Sequence, residues 1–333
     1  MHLPSAAPSR GRATTRPGTA RQRITAALAV GVLALTAACS SGQDDPSGSA
    51  PGAGGEVNLA EQKQLKPAFT KDEKLHGMLP DKVKQAGVVN VALSTGNPPI
   101  TMPGRTQDTV SGLVPDLQTA VSQLLGVKFE GVIYPTTAAQ LLAISSGRAQ
   151  MAWSTNADTR ERQQKYDFVD YMKINYVLAV APRNPKKINE TKDVCGKVYG
   201  SVKGSIDISD AVAAMCKKNG LDAPKISYLE DVPSMLLALK SGRIDTYLTT
   251  DTYIVYERSQ GNEIESVPPP MGADTMFGIT ISKQDKELSA AVLAALKKLH
   301  DEGWYKQAFD HWGVTKMMVQ PGLNIGDQTA LFG

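Results

Sequence analysis

The chain repeats itself. Residues 141–148 read Leu-Leu-Ala-Ile-Ser-Ser-Gly-Arg, and residues 236–243 read Leu-Leu-Ala-Leu-Lys-Ser-Gly-Arg. Each copy closes an apolar helix-like segment with a glycine, Gly147 or Gly242, and then enters a strand-like segment, 149–153 or 244–249. A glycine at that point supplies the left-handed residue that stops a helix without the steric cost of a Cβ. Helix, glycine and strand make a common unit, but the matching side chains argue for one architecture used twice. The expected fold is α/β, with two similar lobes, one early and one late.

The rest of the body fits that scheme. Residues 88–93 (VVNVAL) have the apolar, β-branched character of a buried strand and end in a loop signal, Ser94 to Pro99. Leu117, Ala120, Val121, Leu124 and Leu125 share one face of a helix over 113–125, which Gly126 ends. Residues 128–134 read as the next strand, and Thr136 or Thr137 can cap the helix after it. A long apolar strand over 174–181 precedes a polar stretch, 182–192, with two prolines. That stretch is the expected crossing between lobes, and a second is expected near Pro268, Pro269 and Pro270. The boundaries then fall at 57–181 and 271–333 for lobe 1, and 182–270 for lobe 2. Residues 288–299 and the aromatic stretch around Trp304, Tyr305, Phe309 and Trp312 are expected as terminal helices packed into the core.

The first 56 residues differ in kind. Arg10, Arg12, Arg16, Arg21 and Arg23 stand ahead of an apolar run, 24–38, with no acidic residue among them. A basic region, a short apolar region and small residues before a cleavage point make a secretory signal. The run is short for a permanent membrane span, which takes about 20 apolar residues. Ala37, Ala38 and Cys39 look like a lipobox, the site where a bacterial lipoprotein is acylated and cut, although Thr36 stands where a branched aliphatic is usual. The alternative is an ordinary signal with an incidental cysteine. Residues 40–56 (SSGQDDPSGSAPGAGGE) hold no large apolar side chain and read as a flexible tether. The expected segments are thus a lipoprotein signal peptide, 1–38, and a lipid-anchored linker, 39–56. The mature chain is expected outside the cell, anchored to the outer face of the bacterial cytoplasmic membrane.

The signal also carries the apparent basicity. The full chain has 36 Lys and Arg against 33 Asp and Glu; without residues 1–38 it has 31 against 33. A nucleic-acid partner, which calls for a basic patch on the folded domain, is not expected. Cys195 and Cys216 are the remaining cysteines. In an exported chain two cysteines usually pair; the alternative is two buried thiols. Neither has a His or second Cys at ligand spacing, so no metal site is expected. No Gly-x-Ser-x-Gly elbow or phosphate loop occurs, and no cofactor is expected.

Five stretches together resemble the amino-acid-binding family of ABC-transporter substrate-binding proteins, solute-binding protein family 3. They are 79–84 (LPDKVK); 157–162 (ADTRER) with 166–169 (YDFV); 195–198 (CGKV) with Gly204 and Ser205; 241–245 (SGRID); and 277–279 (FGI). Each is weak alone, and their order and spacing are specific. The resemblance covers nearly all of 79–326. It implies a bilobed, periplasmic-binding-protein-like type II clamp whose two lobes are joined by two hinge strands, with the ligand between them. It implies a small-molecule solute and ABC permease subunits as partners. It also implies a Cys195–Cys216 pair, as in a subgroup of the family. A monomer is the default for a clamp that opens and closes.

Arg162 carries the strongest site expectation. Its planar fork of donors suits a carboxylate bound through two hydrogen bonds, and it matches the family arginine that holds a ligand α-carboxylate. Thr155 and the backbone N–H of Ala157 match positions lining the same pocket. Gly204, Ser205 and Ile206 sit between a strand and a helix start, where backbone N–H groups attract an anion. The family's acidic ammonium anchor lies five positions after Asp245, where this chain has Thr250 and then Asp251. Either Asp251 turns in, or Thr250 makes a weaker bond, or the ligand lacks a primary α-amino group. The family also favours an aromatic residue near Asn97 and a hydrophobe near Thr137. Ser94, Asn97 and Thr137 instead suit a polar ligand, and Trp153 is either an aromatic face of the site or core. The leading expectation is a non-enzymatic receptor for a small polar zwitterion. An enzyme on the same clamp, like the family's cyclohexadienyl dehydratase, and a solute sensor are the alternatives.

Overall fold

A computed structural model describes residues 64–106, 109–134, 136–202, 208–230, 232–267 and 275–327. The expected signal and tether, with Cys39, lie outside the described residues, as do Gly204, Ser205 and Ile206.

In the first half, α1 (Glu73–Gly77) and α2 (Asp81–Ala86) lead into β1 (Val88–Leu93). A short hairpin, β2 (Met102–Pro103) and β3 (Val110–Ser111), precedes α3 (Leu113–Leu125), β4 (Lys128–Ile133), α4 (Thr137–Ser145), β5 (Met151–Ala152), α5 (Arg160–Gln163) and β6 (Tyr166–Ile174). The second half continues with β7 (Tyr176–Val180), β8 (Val198–Val202), α6 (Ser209–Lys218), β9 (Lys225–Leu229), α7 (Val232–Lys240), β10 (Thr246–Thr250), α8 (Asp251–Ser259) and β11 (Glu265–Val267). The chain ends with β12 (Thr275–Ser282), α9 (Lys286–Asp301), α10 (Trp304–His311) and β13 (Met318–Leu323).

The strands form two main sheets, one in each lobe. The first has the order β13-β6-β12-β5-β1-β4, the second β11-β7-β10-β8-β9. Within them the same unit occurs twice. In lobe 1, β5, β1 and β4 run parallel with α3 and α4 as crossovers; in lobe 2, β10, β8 and β9 run parallel with α6 and α7. The sequence echo marks the last crossover of each unit. Ala143 and Ala238 are buried in their lobes, Gly147 and Gly242 take φ of 74° and 70°, and the Arg148 and Arg243 amides each donate 2.9 Å back to those alanines.

The lobe boundary differs from the sequence expectation. β6 belongs to the first sheet, whereas β7 pairs with β10 and β11 in the second. The crossing therefore falls at Asn175, not in 182–192, and β7 joins lobe 2. An apolar run has no feature that tells which sheet buries it, and here two strands buried in different lobes abut. The return leads from β11 in the second sheet to β12 in the first.

Packing follows the periodicities. Leu117, Val121 and Leu124 of α3 share one core with Leu296 and Leu299 of α9 and with Phe309 and Trp312. In lobe 2, alternate residues of β7 face opposite layers: Val177 and Ala179 join Met235, Leu239 and Ile254, while Leu178 and Val180 join Val212 and Cys216. A Cys195–Cys216 disulfide ties the approach to β8 to α6. Closing a loop of about 20 residues contributes roughly 3 kcal/mol on the chain-entropy account. The Cys195→Ser, Cys216→Ser variant is expected to melt lower by thermal denaturation, and an unchanged melting temperature would contradict this.

Among the described residues no helix is long and apolar enough to cross a membrane. Nor does any group of His, Cys, Asp and Glu among them suit a metal ion.

Candidate functional site

The carboxyl ends of the parallel strands converge on the Asn175 crossing. β1 and β5 are parallel neighbours, so Ser94 and Ser154, each just beyond its strand, come together and share a hydroxyl hydrogen bond. β12 runs antiparallel to β5 and β6, which brings its first residue, Thr275, opposite Ile174 at the same edge. In the second sheet, Thr250 at the end of β10 stands opposite Tyr176 at the start of β7. This edge, where connections change direction between strand ends, is where open α/β sheets bind ligands.

From lobe 1, the segment after β5 supplies most of the expected residues. Ala157 bridges Phe277 of β12, through hydrogen bonds from Asp158 N to Met276 O (2.9 Å) and from Gly278 N to Asn156 O (3.0 Å). Those bonds flank Ala157 and leave its own N–H without a backbone acceptor among the described residues. Thr159 then caps α5, its hydroxyl accepting from the Arg162 backbone N–H (3.3 Å). The Arg162 guanidinium turns back and donates from Nη1 to Ala157 O at 2.9 Å. That uses one of five donors; among the described residues the other four make no hydrogen bond. Burial lowers the pKa of Arg162, against the fields of Tyr176, Glu161 and Asp158, which raise it. Arg162, in lobe 1, thus lies within electrostatic reach of Tyr176, in lobe 2.

From lobe 2, the expected pair divides in two. Thr250 is buried, and its hydroxyl caps α8, accepting from Tyr253 N (3.3 Å) and bonding the Thr252 hydroxyl (2.8 Å). Its hydroxyl is therefore engaged at the helix start. Asp251 is tied to the crossing: its N–H donates to Asn175 O (2.9 Å), and its Oδ2 accepts from Asn175 Nδ2 (3.1 Å). Its Oδ1 accepts from Thr252 N (2.8 Å), and burial raises its pKa. Each oxygen retains acceptor capacity for a cation.

The other expected contacts fare unevenly. Asn97 is half-buried in a tight loop closed by Asn97 N to Thr101 O (3.0 Å) and Ile100 N to Asn97 O (2.8 Å). Thr155 is half-buried beside Ser154. Thr137 donates to Asn156 Oδ1 (3.0 Å), and Asn156 donates to Gln140 Oε1 (3.0 Å), so its hydroxyl is engaged within lobe 1, as that of Ser94 is on Ser154. Trp153 is fully buried and packs against Phe129 and Tyr171, with ring centroids 6.4 and 6.2 Å apart. It is core, which corrects its inclusion among the ligand contacts. A small pocket lined by Val180, Lys186, Ile244 and Asp245 lies at the other end of β10 and includes none of these residues.

Asn175 and Tyr176 were missed as site residues. The signal was present: Asn175 is the lone amide in the run 174–181. A polar side chain inside a buried apolar run marks a place where the chain leaves one sheet or bonds another element. The carboxyl pair behind Arg162 was missed too. Asp158 and Asp170 are both buried and adjacent, and they hold the C-terminal segment through Gly326 N to Asp158 Oδ2 (2.8 Å) and Ile325 N to Asp170 Oδ2 (2.9 Å). Burial and the neighbouring Asp158 push the Asp170 carboxyl up to about 8. Burial raises Asp158 as well.

Comparison with known proteins agrees with this architecture. The arginine-binding protein ArgT of Corynebacterium glutamicum is 25% identical over 261 residues, 75% of this chain and 82% of the relative. The L-cystine-binding protein TcyA of Bacillus subtilis is 22% identical over 293 residues, 88% of this chain and 97% of the relative. An ABC uptake transporter substrate-binding protein from Streptococcus pneumoniae, solved with bound histidine, superposes with a TM-score of 0.61 at 20% identity, over 72% of this chain and 97% of that one. The ancestral amino-acid-binding protein AncCDT-1, a precursor of cyclohexadienyl dehydratase, gives 0.58 at 26% identity, over 70% and 98%. The fold is the bilobed type II clamp of these binding proteins. The family description "Bacterial extracellular solute-binding proteins, family 3" matches residues 89–315, well over half the chain, and the chain belongs to that family.

Proposed function

We propose that this protein is the extracytoplasmic solute-binding component of an ABC importer, that it takes a zwitterionic amino acid between its lobes, and that a lipid on Cys39 holds it to the membrane. The observation that carries this reading is the presence of opposite charges on the two sides of the crossing. Arg162 of lobe 1 has four donors uncommitted among the described residues, and Asp251 of lobe 2 sits beside Asn175 at the facing strand end. A solute carboxylate on Arg162 and its ammonium on Asp251 would bridge the lobes and favour the closed clamp. The relatives support the ligand class. Their names give arginine, glutamine, histidine and cystine, which share an α-carboxylate and α-ammonium and differ beyond them. Delivery to permease subunits, action as a monomer and hinge bending about Asn175 belong to the same proposal.

Asp251→Asn tests the ammonium anchor. The substitution keeps an acceptor for Asn175 and removes the charge. Affinity for the bound amino acid is expected to fall by about tenfold or more by titration calorimetry, since charge-assisted bonds are roughly twice as strong as neutral ones. Equal affinity in the variant would remove Asp251 from the site. An enzyme on this fold would turn over a cyclohexadienyl acid, and no turnover by the purified protein is expected.

A further inference from the structure

The segment ahead of the family match is bonded to the candidate ligand loop. The match begins at residue 89, yet Gln64 already belongs to lobe 1. Gly112 N donates to Gln64 Oε1 (2.5 Å), while Gln64 Nε2 donates to Gly112 O (3.2 Å) and to Asp116 Oδ1 (2.5 Å). A side-chain amide thereby pairs with both backbone groups at the start of α3. Further along, Phe69 N donates to Gln123 Oε1 (2.9 Å), Gln123 Nε2 donates to Pro67 O (3.0 Å), and the Phe69 ring meets Trp304 edge-on at 5.6 Å.

Gly112 passes this contact on. Its φ of 119° suits glycine, and a Cβ there would lie 2.6 Å from both Pro99 O and Ile100 O. The next two amides, Leu113 N and Val114 N, donate to those carbonyls at 3.1 and 3.0 Å. Pro99 and Ile100 belong to the tight loop that presents Asn97. A continuous set of contacts thus runs from Gln64 through Gly112 to the loop at the cleft edge.

We propose that Gln64 is a positioning residue for loop 97–101, and through it for the solute; the second clause rests on the function proposed above. Asn97 and Pro98 are half-buried at the tip of this loop, while Pro99, Ile100 and Thr101 are buried beneath them, so the place of the tip follows from how the buried part is held. The amide pair on Gly112 holds the start of α3 where its amides reach Pro99 and Ile100.

Hydrogen exchange on the mature chain tests this, with Gln64→Ala beside Phe69→Ala. The second variant loosens the same segment from Trp304 but keeps the amide pair, so it controls for general destabilisation. Gln64→Ala is expected to speed exchange at Ile100, Thr101, Leu113 and Val114 about tenfold or more, with the strands of lobe 2 unchanged, while Phe69→Ala leaves those four amides protected. No acceleration in Gln64→Ala, or equal acceleration in both variants, overturns the proposal. This readout needs no ligand, so it separates failure of the positioning role from failure of the functional reading. Titration with L-arginine, L-glutamine, L-histidine and L-cystine supplies the second arm. Weaker binding in Gln64→Ala alone supports the role toward the solute, and a loosened loop with unchanged affinity overturns that clause.

Discussion

Arg162→Ala is expected to lower amino-acid affinity by about thirty-fold or more while leaving the fold intact. The guanidinium is half-buried, and the one hydrogen bond it makes among the described residues, to Ala157 O, is local in sequence, so its loss costs the lobe little. For the solute the loss is large. Truncating one partner of a desolvated charge pair removes the attraction and leaves the other charge buried without a partner, an effect of about 2–5 kcal/mol. At about 1.4 kcal/mol per tenfold, that spans roughly thirty-fold to a few thousand-fold in affinity. Arg162→Lys tests the fork itself. A lysine keeps the charge but cannot offer two parallel donors, so it is expected to recover only part of the binding. Full recovery by lysine would mean that Arg162 acts as a point charge. Unchanged binding in the alanine variant would remove it from the site.

The second large effect is on stability, and it runs toward acid. Burial pushes the Asp170 carboxyl up to about 8 and that of Asp116 up to about 7, against 3.8 in an exposed chain. Both pKa values are therefore raised on folding. Between about pH 4 and pH 8 the folded protein holds protons on these groups that the unfolded chain has released. Their contribution is fully present below about pH 4 and is lost as pH rises through the folded values. One pKa unit corresponds to about 1.4 kcal/mol, so the melting temperature is expected to fall by roughly 10 °C from pH 5.5 to pH 8.5. Asp170→Asn isolates the pair. Its amide can donate to Asp158 as the protonated acid would, and its oxygen can still accept from Ile325 N. This variant is expected to melt above the wild type at pH 8 and to show a shallower pH dependence. A variant less stable at pH 8, or a wild type that gains stability with rising pH, would contradict the assignment.

Much of the fold could be read from short-range pattern. α3 runs from Leu113 to Leu125 because one apolar stripe continues until Gly126, which takes φ of 63°. The echo announced two like lobes because Ala143 and Ala238 meet equivalent cores and Gly147 and Gly242 stop equivalent helices. Arg162 was legible from its acidic, capped context, and the cap is made by Thr159. What failed depended on partners distant in sequence. The run 174–181 is apolar apart from Asn175, and only pairing of β7 with β10 and β11 assigns its main part to lobe 2. Trp153 had two plausible places, and its packing on Phe129 and Tyr171, brought in by β4 and β6, decides for the core. Thr250 and Asp251 were indistinguishable in sequence, since either side chain can cap a helix; Thr250 does so, and Asp251 is left to bond Asn175. Asp158 and Asp170 each look like ordinary surface acids until the C-terminal segment folds over them.

The most direct test of the account is titration calorimetry of the mature chain against a panel of L-amino acids, with betaine and cyclic-amine solutes in the same series. The account predicts saturable binding of at least one α-amino acid, with a negative heat-capacity change as the lobes close over it. Binding confined to solutes without a primary ammonium, or no binding across the amino acids, would contradict the pairing of Arg162 and Asp251 on which the account rests.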